Sequence, residues 1–140
     1  MKKFEFLDIT TADVCFLAYG ESLNALFENS ALAMFNVITN TEQVKPKVKR
    51  GVEVKGEDLQ SLMFNWLNEL LFYSGAENLA FSKFEVKIDE KDLDLEANCW
   101  GEEMNPEKHE LKTEVKACTY HRLEVKKDKD GWKAQVILDI

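Results

Sequence analysis

The sequence predicts an α+β fold: a two-layer sandwich whose mostly antiparallel sheet carries two amphipathic helices on one face. Two stretches of the first half, 22–41 and 58–75, have apolar residues at helical spacing. From Phe81 onward, apolar and polar residues alternate with the period of a β-strand. The chain has 140 residues, 45% of them hydrophobic, which suits one domain over 1–140.

The first half opens with two predicted strands and a helix. Residues 4–6 have an extended pattern, and residues 13–19 carry apolar side chains on both faces. The second of these is predicted to be a central strand that is covered on both sides and ends at Gly20. Ser22 is a good N-cap for the first helix, which is expected to close near residues 40–41. The apolar residues of this helix are Leu23, Leu26, Phe27, Met34, Phe35 and Ile38.

The second helix has the most regular pattern of the chain. Asp58 is predicted to cap its start and Gly75 to end it. Asn68 and Glu69 fall outside its apolar face and are expected in solvent. That apolar face comprises Leu59, Leu62, Met63, Trp66, Leu67, Leu70 and Leu71. The polar segment before this helix, which contains Pro46, is predicted to be an edge strand or a loop leading into one.

Four alternating segments predict the strands of the second half. They comprise residues 84–88, 93–99, 115–125 and 132–138. Between the last two, residues 128–131 read Asp-Lys-Asp-Gly, which favours a hairpin turn.

Charge and composition exclude several classes of function. The chain has 18 basic and 26 acidic residues, a net charge of −8, so we expect no stable binding to nucleic acid and rather a cation or a basic protein surface as partner. No stretch is long and apolar enough to span a membrane, and the N-terminus lacks the form of a signal peptide. The three cysteines have no CxxC spacing, which favours reduced thiols and a cytoplasmic location.

Few residues suggest catalysis. The sequence contains no phosphate-binding glycine loop, no GxSxG and no HExxH. His109 lies in a polar loop, where an isolated imidazole is expected in solvent. Cys118 and His121 are three apart in a predicted strand, so they would point to opposite faces, and Cys118 is best interpreted as a structural thiol.

Two carboxylates attract more interest. Asp13 stands at the entry of an apolar strand, where it is ordinarily a turn or cap residue. Asp139 follows the apolar run 136–138 and precedes Ile140, whose terminal carboxylate adds a second negative charge. Charges so close repel unless a cation compensates, so these oxygens could bind Ca²⁺, Mg²⁺ or Mn²⁺. The alternative is that these carboxylates simply lie in solvent at a strand end. The sequence alone does not establish that Asp13 lies close to Asp139 in the fold.

Four segments together resemble the archease family. Thr11-Ala12-Asp13 is similar to its N-terminal signature, and residues 66–71 (Trp-Leu-Asn-Glu-Leu-Leu) to its second-helix motif. Residues 116–121 (Lys-Ala-Cys-Thr-Tyr-His) resemble its Lys-Ala-x-Thr-Tyr-His strand, and residues 136–140 (Val-Ile-Leu-Asp-Ile) its C-terminal ending. The resemblance covers nearly the whole chain, in order. Thr10 departs from it, because the family commonly has His before Thr-Ala-Asp.

The resemblance implies an accessory factor rather than an enzyme. It implies activation of an RtcB-type RNA ligase of tRNA splicing, by promoting guanylylation and repeated turnover and by widening nucleotide use. It also implies a divalent-cation site, Ca²⁺ in family members, built from Asp13, Asp139 and Ile140. Two other classes stay open: a metal-dependent hydrolase, which would turn over nucleotides by itself, and a chaperone-like adaptor, which would act on many unrelated clients.

Overall fold

The computed structural model describes residues 2–140, which form two antiparallel sheets and two long helices. In chain order the elements are β1 (Phe4–Ile9), β2 (Asp13–Gly20), α1 (Leu23–Ile38), β3 (Val48–Lys55), α2 (Leu59–Glu77), β4 (Leu79–Asp89), β5 (Asp94–Glu103), β6 (Ala117–Cys118), β7 (Glu124–Asp128) and β8 (Gly131–Asp139), with a short 3-10 helix at Thr41–Gln43. No helix within residues 2–140 is long and apolar enough to cross a membrane.

The larger sheet, sheet A, is built around β2 and β8. Its strand order is β1-β2-β8-β6, and β7 also pairs with β8. Alternate residues of β2 (Val14, Phe16 and Ala18) are buried, and they pair with equally buried residues of β8. The residues between them, starting with Asp13, therefore point to the opposite, outer face. The predicted central position of residues 13–19 is confirmed, because β2 lies between β1 and β8, but its outer face is only partly covered: Asp13, Cys15 and Tyr19 are partly buried.

The smaller sheet, sheet B, has the order β3-β5-β4, so β3 is an edge strand. Its inner face is apolar; Val52, Ala97 and Val86 lie side by side across the three strands and are all buried. Its outer face is polar, and one row across it reads Lys49, Trp100 and Lys83.

Both helices begin at the predicted caps and pack against both sheets. The Ser22 side chain accepts a hydrogen bond from the Ala25 N–H at 3.1 Å. The Asp58 carboxylate accepts one from the Ser61 N–H at 2.7 Å, in a reciprocal capping box. Helix α1 contacts β2, β8 and β4, whereas α2 contacts strands of both sheets, so the apolar core lies between the helices and the sheets.

The structure confirms the α+β sandwich but corrects three details of the sequence prediction. The strands form two sheets rather than one. Helix α2 does not stop at Gly75; it continues to Glu77 and ends at Asn78, which adopts a left-handed conformation with φ of 55°. Residues 115–125 are not one strand, because Arg122 (φ 53°) lies in a turn that separates β6 from β7.

Candidate functional site

Asp13 and Asp139 are direct partners across the antiparallel pair β2–β8. They lie at the end of sheet A, on its outer face; Asp13 is partly buried and Asp139 is exposed. Residues directly opposite in such a pair have Cβ atoms about 5 Å apart. The fold thus brings together the two carboxylates that the sequence had singled out 126 positions apart.

Thr10 shapes the turn that leads into Asp13. Its hydroxyl oxygen accepts hydrogen bonds from the Ala12 and Asp13 N–H groups, at 3.1 and 3.0 Å. The same hydroxyl lies 3.1 Å from Asp13 Oδ1, to which it donates. Thr10 therefore fixes the β1–β2 turn and orients one oxygen of the Asp13 carboxylate, so this position has a structural role even without an imidazole.

The end of β8 is held from both sides. The Ile140 N–H donates to the Ala12 carbonyl at 3.1 Å, and the Lys116 N–H donates to the Asp139 carbonyl at 2.8 Å. Ile140 is partly buried and packs against the apolar core. The main chain of Ile140 is accordingly held beside the β1–β2 turn, next in sequence to the Asp13–Asp139 pair.

The pKa of the Cys15 thiol reflects the negative charge at this end of sheet A. It is the next outward residue of β2 and pairs with Asp8 of β1. Burial raises the pKa of the Cys15 thiol, the negative charges of Asp8 and Asp13 raise it further, and Arg122 opposes them. The thiol is therefore a poor nucleophile. Sequence reasoning did not include Asp8, which reaches this region only because a bulge between Phe6 and Asp8 shifts the register of β1.

The chemistry of these groups suits a hard cation. Carboxylate and main-chain oxygens are the donors that Ca²⁺, Mg²⁺ and Mn²⁺ prefer, whereas zinc sites normally include Cys or His. Among residues 2–140, no group of three or more His, Cys, Asp or Glu side chains is arranged to hold a metal ion. Asp13 and Asp139 are only two carboxylates, so they could hold a cation only together with other donors, such as main-chain oxygens or water.

Asn68 holds the neighbouring strand in place. Its Nδ2 donates to the Cys118 carbonyl at 3.1 Å, and its Oδ1 accepts from the Cys118 N–H at 2.9 Å. The side chain thus extends the hydrogen bonding of β6, whose Ala117 pairs with Asp139. The expectation that Asn68 lies in solvent is wrong. Cys118 is buried, as predicted for a structural thiol, and burial raises its pKa to about 12.

A second polar cluster lies at the end of β5. His109 was expected in solvent, but it is 3% exposed, and its Nε2 lies 3.4 Å from Oε2 of the buried Glu102. His109 Nδ1 accepts a hydrogen bond from the Asn105 N–H at 2.9 Å. Glu102 Oε2 also accepts from the Lys45 N–H at 2.6 Å, which lowers the pKa of the Glu102 carboxyl. No periodic signal marks His109, because its loop is also held by residues distant in sequence: the adjacent Glu110 N–H donates to Gln43 Oε1 at 2.8 Å.

His121, in contrast, lies in the exposed turn after β6. It is not in the strand where the sequence placed it, so the inference that it faces away from Cys118 across a strand does not apply.

Comparisons with known proteins agree over the full length. The model of the archease protein family (MTH1598/TM1083) matches residues 4–140. A protein archease of Methanothermobacter thermautotrophicus is 52% identical over 143 residues, and one of Sulfurisphaera tokodaii is 46% identical over 140, each alignment covering 100% of both chains. The solution structure of Methanobacterium thermoautotrophicum protein 1598 matches with a TM-score of 0.87 and 50% identity, over 100% of both chains. The crystal structure of an archease from Thermotoga maritima, described as a possible chaperone, shares the fold with a TM-score of 0.65 and 21% identity, over 94% of this chain and 93% of that one.

Proposed function

Because this chain belongs to the archease family, we propose that it is an accessory protein that activates an RtcB-type RNA ligase of tRNA splicing. In this proposal it promotes guanylylation and multiple turnover of the ligase and widens the range of nucleotides that the ligase uses. The observation that carries the proposal is the pairing of Asp13 with Asp139, since both residues belong to the segments that resemble the family.

The same pair supports a divalent-cation site, for which Ca²⁺ is the first candidate and Mg²⁺ or Mn²⁺ the alternatives. Asp13 and Asp139 would supply carboxylate oxygens and Ile140 its main-chain oxygens. A bound cation would supply positive charge and coordination positions at the rim of the sheet. Thr10 would keep one Asp13 oxygen oriented through its hydroxyl, which donates at 3.1 Å.

An accessory protein can act only by binding one state of its partner better than another. The Asp13–Asp139 pair lies on the outer face at the end of sheet A, and the exposed side chain of Ile9, which pairs with the inward-facing Val14, lies at the same end on the other face. This end therefore offers charged and apolar groups to a partner. In the proposal it binds the ligase in the state that accepts the guanylyl group, so the chain itself carries out no chemical step.

The direct test is multiple-turnover ligation by the cognate RtcB-type ligase, with ligase limiting and Mn²⁺ and GTP held constant. We expect the wild-type chain to raise turnover strongly and Asp13→Asn and Asp139→Asn to lose most of that effect. Asp92→Asn is the matched control, because Asp92 is an exposed carboxylate in the β4–β5 turn. Full activation by both site variants would refute the role of the pair, and no activation by the wild type would refute the function.

A chaperone-like adaptor is the second candidate. The Thermotoga maritima relative is described as a possible chaperone, and this chain exposes the large apolar side chains of Phe72 and Leu111, at 65% and 60%. An adaptor of this kind would suppress the aggregation of several unrelated proteins. Suppression that is independent of Asp13 and Asp139 would favour it over ligase activation.

A further inference from the structure

Four lysines gather on one face of this acidic protein. We call the lysine patch the group formed by Lys47, Lys49, Lys83 and Lys108 on the outer face of sheet B and the loop beside it. Lys49 and Lys83 come from β3 and β4, on either side of Trp100 in β5. Lys47 and Lys108 lie beside Glu102, two residues further along β5.

Trp100 brings two of the ammonium groups together. Lys83 Nζ lies 4.8 Å from the centre of the Trp100 ring, and Lys49 Nζ lies 5.8 Å from it. Both distances allow a cation–π attraction. Trp100 is partly exposed, whereas both lysines are exposed, so the row presents an indole between two positive charges on an open sheet face.

Glu102 is the buried acidic residue beside the lysine patch, and one oxygen of its carboxylate contacts groups other than the lysine side chains. Its Oε2 accepts from the Lys45 N–H at 2.6 Å and faces the His109 imidazole. Its Oε1 is 4.0 Å from Lys47 Nζ and 3.9 Å from Lys108 Nζ, which are long ion pairs. The Asn105 N–H donates to His109 Nδ1, so the ring presents its Nε2 to Glu102. Lys47 and Lys108 therefore share one carboxylate, whereas Lys49 and Lys83 contact the Trp100 ring.

The charges of sheet B are segregated along its outer face. The row next to Trp100 reads Gly51, Asn98 and Glu85, and the following row reads Glu53, Glu96 and Lys87. The Trp100 row thus carries two lysines and no acidic side chain, whereas the two rows beyond it together carry three glutamates and one lysine.

We propose that the lysine patch binds single-stranded nucleic acid. Ammonium groups that bind phosphates, beside an aromatic ring on which a base can stack, are the two elements of such sites. A base would stack on Trp100 in place of the more distant Lys49 ammonium, which would then bind the adjacent phosphate. An acidic peptide would use the lysines but leave the indole without a role. The net charge of −8 opposes any polyanion, so binding is weak and sensitive to salt.

The test is fluorescence anisotropy of a labelled single-stranded oligonucleotide of about 10 residues, titrated with the whole chain across a range of salt concentrations. The titration is run with both RNA and DNA of the same sequence, because lysines and an indole ring can bind either. The comparison shows which of the two the lysine patch binds. For single strands the slope of log K against log salt is about −0.7 per phosphate contact, so Lys49→Gln/Lys83→Gln should make it about 1.4 less steep. Trp100→Ala should weaken binding about 5- to 150-fold, and Trp100→Phe much less.

Lys87→Gln/Lys127→Gln is the matched control. It changes the net charge by the same amount, and Lys127 also stands over a tryptophan, Trp132, at 5.9 Å. We expect this control to bind like the wild type at each salt concentration. The proposal is overturned if the two double variants bind alike, if poly-glutamate of equal charge competes as well as the oligonucleotide, or if the wild type does not bind at low salt. Ligation plays no part in this assay, so its outcome is independent of the proposed ligase activation.

Discussion

Replacing Asp139 by Asn should stabilise the cation-free protein and abolish its response to a divalent cation. Asp139 faces Asp13 directly across β2–β8, and within residues 2–140 no hydrogen bond to its side chain is found. Asn has nearly the same shape but no charge. The substitution therefore removes the repulsion between the two carboxylates, and one proposed ligand, without leaving a cavity or an unpaired buried group.

The size of the effect follows from the pairing geometry. Directly opposed side chains have Cβ atoms about 5 Å apart, and two unit charges at that distance in water repel by about 0.8 kcal/mol. The free energy of unfolding of Asp139→Asn should thus rise by about 0.5–1 kcal/mol at low salt. A cation at about 100 times its Kd should stabilise the wild type by about 2.7 kcal/mol, which reverses the order of the two proteins.

The assay is urea denaturation in chelator and again with Ca²⁺, Mg²⁺ or Mn²⁺, with Asp92→Asn as the control that should behave like the wild type under both conditions. The metal with the largest stabilisation is the preferred ion. A wild type whose midpoint does not respond to any of the three ions would refute the cation site. A destabilised Asp139→Asn in chelator would refute the assumption of repulsion, since it would mean that the carboxylate makes a favourable contact.

Three further predictions concern the scaffold around the site. Asn68→Ala should cost about 2–3 kcal/mol in urea denaturation, because the buried N–H and carbonyl of Cys118 lose their partners; a loss below about 0.5 kcal/mol would contradict this. In thiol labelling of the native protein, Cys15 should react first, since burial raises the pKa values of Cys99 and Cys118 to about 12; equal rates for the three would be inconsistent with the fold. The pKa of Glu102 lies below its ordinary value of 4.5, so its contribution to stability is present above that pH and is lost as the pH falls through the lowered value. Glu102→Gln should therefore reduce the loss of stability that the wild type shows as the pH is lowered. If the variant loses as much stability on acidification as the wild type, Glu102 is not the cause of that loss.

Local signals were sufficient where local contacts decide the structure. The start of each helix was predicted from Ser22 and Asp58 because an N-cap interacts only with the next turn. The end of α2 was not predicted correctly, because Asn78 rather than Gly75 takes the left-handed position. Asn78 is held there by a distant segment: its carbonyl accepts from the Met104 N–H at 2.8 Å. Such a contact has no signature near Gly75 in the sequence.

The segment 115–125 shows a partial success of the alternation. Both of its parts pair with the same strand: Cys118 pairs with Leu138 and Glu124 with Gln135. The period of two therefore identified the buried residue of β7, Val125, but not that of β6, where Cys118 rather than Ala117 faces the core. It could not reveal the turn at Arg122, because a positive φ in a residue other than glycine is imposed by the surroundings rather than by intrinsic preference.

The two charged surfaces differ in how far the sequence could predict them. Asp13 and Asp139 were identifiable because each is an acidic residue beside an apolar run, although their register is a long-range property of the fold. The lysine patch has a signal that was not used: lysines at positions 45, 47 and 49 alternate, which places Lys47 and Lys49 on one face of a strand. Trp100 completes the patch only through the pairing of β3 with β5.

An irregular segment connects these two surfaces, and its order does not come from secondary structure. Residues 104–116 begin beside the lysine patch, where His109 is buried, and end where the Lys116 N–H donates to the Asp139 carbonyl at 2.8 Å. Between these points, the Lys112 N–H donates to the Ile38 carbonyl at 3.0 Å. Local bonds such as that from the Asn105 N–H to His109 Nδ1 shape part of the segment, and the anchors to other elements position it on the assembled core. The segment therefore links Glu102, which faces His109, to the main chain of Asp139, which accepts from Lys116.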